Sequence, residues 1–135
     1  VSRKLKSLRF PLAALAALVL LTGFSIDRAE AARRHTRLLK SMPMADSTVK
    51  QSPLAIELWF SEKIELGPSK IELLDANKKA IPVSNLTRDD SKPDAPVVGR
   101  LVTELPDGAY AVRWTAASKD GHPAKGTFFF NVKSK

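Results

Sequence analysis

The chain has 135 residues, the size of one domain. Its 44% hydrophobic and 27% charged content excludes wholesale disorder and collagen-like repeats. It has no cysteine, which removes a disulfide framework, a CxxC redox motif, a thiolate zinc site and a cysteine nucleophile.

The net charge is +8, and its meaning depends on where it sits. Arg3, Lys4, Lys6 and Arg9 precede an uncharged run of 17 residues from Phe10 to Ile26, and Ala29-Glu30-Ala31 places small residues at the −3 and −1 positions of a cleavage site. This pattern predicts a Sec-type signal peptide over 1–31, with residues 32–135 as the exported domain. A run of this length stands at the lower edge of what spans a bilayer, so an uncleaved anchor is the alternative; Pro11, Gly23 and the Ala-x-Ala favour cleavage. Cleavage removes five basic and two acidic residues, leaving a net charge of +5 on 104 residues. The remaining cations are scattered apart from Arg33, Arg34, Arg37 and Lys40. No nucleic-acid partner is expected of such an exported domain.

Short alternating runs follow. Residues 37–42 read as an N-terminal edge strand. In 54–60, Leu54, Ile56, Leu58 and Phe60 fall on one face. Residues 70–74 follow Gly67-Pro68, and Ile81-Pro82-Val83 is a weak edge candidate because of its proline. Three aspartates and two prolines mark 88–96 as the longest loop. Strands are predicted over 97–102, over 110–115 with Tyr110, Val112 and Trp114 in phase, and over 127–132 with Phe128, Phe130 and Val132 in phase. About seven strands in roughly 100 residues predict an all-β, immunoglobulin-like sandwich.

Candidate chemistry is sparse. No serine sits in a Gly-x-Ser-x-Gly elbow and no glycine-rich phosphate loop exists. The distinctive segment is Ser118-Lys119-Asp120-Gly121-His122-Pro123 between two predicted strands. Asp-Gly is a strong turn dipeptide, and a plain hairpin turn would account for it. Yet Asp120 and His122 are two residues apart, so carboxylate and imidazole can face one side and share a metal ion. His35, the only other histidine, stands at the start of the first strand. If the two regions meet, two imidazoles and a carboxylate form a mixed N/O set that suits Cu(II).

The order of residues then carries a resemblance: His35, Leu39, Ser41 and Pro43; Ile56, Leu58 and Phe60-Ser61-Glu62; Leu105, Gly108, Tyr110, Val112 and Trp114; Ser118, Asp120-Gly121-His122-Pro123 and Gly126; Phe130 and Val132. From His35 to Val132 the chain resembles the CopC/PcoC family of periplasmic copper-binding proteins of copper resistance. The resemblance implies a Greek-key β-sandwich with one Cu(II) ion near one end, held by His35, Asp120 and His122. Glu62 falls on an acidic position near the metal, as ligand or neighbour. It further implies a monomeric carrier or buffer of copper, no enzymatic activity, and a copper-transporting inner-membrane protein as partner. In that family the histidine stands at the processed N-terminus and binds through both its amine and its ring; such histidine braces also occur in copper monooxygenases, but no substrate groove is legible.

Two departures bear on this. Ala32-Arg33-Arg34 precede His35 if cleavage follows Ala31, and an internal histidine has no free amine to offer. Cleavage after Ala32, or trimming up to His35, would supply one. The displaced His35 also supports an alternative, a metal-free interaction domain whose copper site has decayed. In addition, the stretch 66–96 lacks methionine, so no thioether Cu(I) site is expected; Met42 and Met44 read as packing or surface residues.

Overall fold

The computed structural model describes residues 36–135; the signal sequence predicted over 1–31 and the candidate ligand His35 lie outside them. Eight strands follow in chain order: β1 (Leu38–Met42), β2 (Ser47–Val49), β3 (Ala55–Phe60), β4 (Glu65–Leu74), β5 (Ala80–Ile81), β6 (Val97–Arg100), β7 (Gly108–Ala117) and β8 (Pro123–Val132). They form a three-stranded sheet, β1-β3-β6, and a five-stranded sheet, β2-β8-β7-β4-β5. No helix occurs among the described residues. The molecule is an immunoglobulin-like β-sandwich.

Alternation along the strands decides which side chains fill the space between the sheets. Ile56, Leu58 and Val97 come from the smaller sheet; Ile71, Leu73, Tyr110, Val112, Phe128, Phe130 and Val132 come from the larger one. Tyr110 stacks on Phe130 with ring centroids 5.5 Å apart. Its hydroxyl donates to Pro106 O at 2.6 Å, four residues upstream, the corner that ties an immunoglobulin-type strand to its preceding loop. Burial raises the Tyr110 phenol above its ordinary value, with Asp75 and Asp107 adding to the effect, so the hydroxyl stays a neutral donor.

The structure departs from the sequence-based expectations at three places. Ser47–Val49 forms an eighth strand, parallel to β8 in the register Ser47↔Phe130 to Val49↔Val132. Gly67-Pro68 does not precede β4 but lies inside it; the irregular register between Glu65 and Lys70 absorbs the proline. Leu54 lies outside β3 and is 84% exposed, so it does not join the core face; it is held by its carbonyl, which accepts from Leu101 N at 2.9 Å.

The long hairpin β7–β8 pairs ten residues on each side, from Gly108↔Val132 to Ala117↔Pro123. Trp114 sits opposite Gly126 and meets Phe60 of the other sheet edge-on, with centroids 5.3 Å apart. A Cβ at position 126 would lie 2.6 Å from Cε2 of the Trp114 indole. Gly126→Ala must therefore displace the ring from Phe60. A destabilisation of about 1–3 kcal/mol is expected, with loss of the near-ultraviolet circular dichroism of the indole. An unchanged melt and spectrum would place the Trp114 ring elsewhere.

Three parts of the chain converge at one end of the sandwich. β1 begins beside the end of β3, Leu38 opposite Phe60. Residues 61–64 then cross to the larger sheet, where Glu65 pairs with Ala117, the last residue of β7. The entry into β1, the β3–β4 connection and the β7–β8 tip therefore share an end.

Candidate metal centre

The β7–β8 tip is built by local hydrogen bonding. Gly121 N donates to Ser118 O at 2.9 Å, and Ser118 N reaches His122 O at 3.4 Å. Gly121 has φ +84°, a left-handed conformation that costs glycine nothing and strains other residues. Asp120 Oδ1 accepts from His122 N at 3.2 Å, bridging the turn as aspartate does two residues ahead of an amide. Ser118 is buried; its hydroxyl donates to Asp120 Oδ1 and lies 3.1 Å from His122 O. The expected turn and the pairing of the two candidate ligands are thus the same structure.

That structure brings His122 Nδ1 to 3.4 Å from Asp120 Oδ2. Two cis donors about 2.0 Å from one ion lie roughly 2.8 Å apart, so a small rotation suffices to let both face one cation. Their side chains are 83% and 54% exposed, and solvent reaches them freely. The Ser118 hydroxyl, then the His122 amide, hold the Asp120 carboxyl below its ordinary value. Asp120 is consequently a fixed anion with Oδ1 tied into the turn and Oδ2 turned toward His122. An imidazole beside a carboxylate is a mixed N/O donor pair without thiolate or thioether, which fits Cu(II).

Glu62 lies on the β3–β4 connection and is exposed. Its Oε1 accepts a 2.6 Å hydrogen bond from the hydroxyl of Thr36, the buried residue next to His35 in the chain. Among the described residues no three of His, Asp and Glu gather closely enough to enclose an ion. Asp120 and His122 meet, and Glu62 stands apart from them, bonded to the segment that leads to His35. The part played by Ser118 and Thr36 is not evident in the sequence. For Ser118 the Ser-x-Asp spacing is a usable sign; for Thr36 the only sign is its place after His35.

The β3–β4 connection is fastened to the loop before β6. The Arg88 guanidinium, 12% exposed, donates to Ile64 O at 2.8 Å and pairs with Asp90 at 2.9 Å, while Lys63 pairs with Asp90 at 3.0 Å. Arg88 and then Lys63 depress the Asp90 carboxyl below its ordinary value. Trp59 Nε1 donates to Asp94 O at 3.1 Å, and Lys40 Nζ lies 4.6 Å from the Trp59 ring centroid. Trp59 thus covers the loop beside a cleft of about 280 Å³ that also touches Glu62. Met42 and Met44 are surface residues, 51% and 66% exposed.

Comparison with known proteins agrees with this architecture. The family model described as "CopC domain" matches residues 38–133. Copper resistance protein C of Escherichia coli is 34% identical over 122 residues, spanning 85% of this chain and 94% of that one. The crystal structure of CopC from Methylosinus trichosporium OB3b superposes with a TM-score of 0.65 at 29% identity, covering 73% of this chain and 94% of that one. PcoC, a methionine-rich copper resistance protein from Escherichia coli, superposes with a TM-score of 0.64 at 32% identity, covering 73% and 99%. By sequence and by fold, the chain belongs to the CopC domain family of copper resistance proteins.

Proposed function

We propose that this protein binds one Cu(II) ion in the periplasm and carries or buffers it, passing it to a copper-transporting membrane protein. His35, Asp120 and His122 are the ligands in this reading, with Glu62 beside them. The observation that carries it is the exposed Asp120–His122 pair, 3.4 Å apart at a hairpin tip, on the end of the sandwich where the chain enters β1. The names of its relatives, copper resistance proteins from Escherichia coli among them, support copper as the cargo.

The geometry suits a carrier. Both tip donors are exposed, so an incoming acceptor can replace them one at a time. Binding rather than catalysis is the function, and the signal sequence predicted over 1–31 supplies the export that a periplasmic role needs.

An electron paramagnetic resonance titration of Cu(II) into protein exported and processed by its native host tests this. The expected result is one tetragonal signal with nitrogen hyperfine structure that saturates at one equivalent. A weak, heterogeneous signal without saturation would overturn the copper reading and favour a metal-free interaction domain.

A further inference from the structure

We propose that the β7–β8 tip is also a copper-dependent contact between two copies of this chain. When protein exceeds copper, one Cu(II) ion is shared by two tips, each giving Asp120 and His122. The inference rests on the copper reading above, and on the tip alone.

A single tip offers half of what the ion takes. Asp120 Oδ2 and His122 Nδ1 stand 3.4 Å apart, one oxygen beside one nitrogen. Tetragonal Cu(II) takes about four such donors in a plane. Among the described residues no third His, Asp or Glu gathers with this pair, and Glu62 is bonded to Thr36 instead. The remaining positions fall to water, to the rest of the chain or to another molecule. A second tip carries a matching set, because a two-fold contact brings one patch against its own copy. It supplies a nitrogen and an oxygen together, already paired, where a lone imidazole supplies one donor.

The tip is open to such an approach. Lys119, Asp120, Gly121, His122 and Pro123 are all exposed. Gly121 lies between the two donors, and a Cβ there would meet nothing within 4 Å, so the apex leaves room for the side chains of a second tip. The donors are also prearranged. The β7–β8 ladder runs up to Ala117↔Pro123, and the Ser118 hydroxyl and His122 N hold Asp120 Oδ1. Less side-chain freedom is therefore lost when two tips close on one ion.

Charge makes the contact conditional on the metal. Two Asp120 carboxylates and two neutral imidazoles around Cu(II) sum to zero, so the shared ion needs no further counter-charge. Without it, each tip would set Asp120 against Asp120 and Lys119 against Lys119, like charges that repel. Packing cannot hold the pair: five exposed residues a side fall far short of the roughly 20–30 residues a side of a stable interface. The ion is the bond. For a carrier, sharing lets copper move between copies without release, because the entering tip binds before the leaving one lets go.

Sedimentation velocity and electron paramagnetic resonance on the processed protein, with Cu(II) at about half an equivalent, test this. Most of the protein should sediment at about twice the monomer mass, and a chelator should return it to monomer. Raising copper to one equivalent should also dissolve the pair, with a change in the resonance signal between the two points. His122→Ala should stay monomeric throughout. Asp120→Asn, which keeps acceptors for both turn hydrogen bonds, should lower the paired fraction. Protein-bound copper with every molecule still monomeric would overturn the shared site and leave the copper reading standing. Parental pairing in His122→Ala would overturn it too, since the contact would then lie elsewhere. Absence of any protein-bound copper signal would remove the copper reading, and the shared site with it.

Discussion

His122→Ala is expected to lower Cu(II) affinity by roughly a hundredfold or more, above the loss typical of partners outside the coordination sphere. The fold should not notice: the side chain is 83% exposed, so stability should stay within about 0.5 kcal/mol. Asp120→Asn separates charge from turn geometry at the same tip. The amide oxygen of asparagine can still accept from the Ser118 hydroxyl and His122 N, the two bonds Oδ1 makes, so the hairpin should close as before. The anion facing His122 Nδ1 is gone, and affinity should drop by about tenfold or more. Chelator competition followed by copper fluorescence quenching would read both. Parental affinity in His122→Ala would remove the tip from the copper site altogether.

The larger sheet was legible because its strands alternate. Tyr110, Val112 and Trp114, and Phe128, Phe130 and Val132, are inward at every second position, and the paired register Tyr110↔Phe130 follows from one hairpin. β2 was not legible: three residues, Ser47–Val49, are too short for a period. They become a strand only by lying parallel to β8, after Asp46 at φ 59° donates its amide to Phe129 O. Gly67-Pro68 reads as a strand breaker, yet a local irregularity in register lets β4 run through it. Leu54 shows the limit of alternation alone, since parity with Ile56 does not bury a residue that precedes the strand.

The candidate site divides the same way. Asp120 and His122 were legible as a pair because two residues across a tight turn bring side chains together without help from the rest of the fold. The bond between Thr36 and Glu62 joins residues 26 apart in sequence and exists only because β1 pairs with β3. No local pattern encodes such a contact. The Arg88 anchor on Ile64 O likewise spans 24 residues, and a run of charges in a loop gives no hint that one arginine is nearly buried.

Phe130→Ala is expected to be among the most damaging single substitutions in the domain, and Phe129→Ala among the mildest, though they are adjacent. Phe130 is fully buried, stacks on Tyr110 at 5.5 Å and sits where β8 carries both β7 and β2. Its truncation should cost about 3–5 kcal/mol from a total stability on the order of 5–15 kcal/mol. For a domain of this size that lowers Tm by roughly 15 °C or more. The Tyr110 ring would lose its stacking partner, and the attachment of β2 would loosen with it. Phe129 points to solvent, 59% exposed, and its loss should cost about 0.5 kcal/mol. The order of the two effects reports the register of β8, since a one-residue slip exchanges the faces of every side chain along the strand. Thermal unfolding of both variants would show it directly: a larger loss for Phe129→Ala than for Phe130→Ala would mean that β8 is turned over relative to its partners, and with it the alignment that sets Ala117 opposite Pro123 and closes the hairpin around Asp120 and His122.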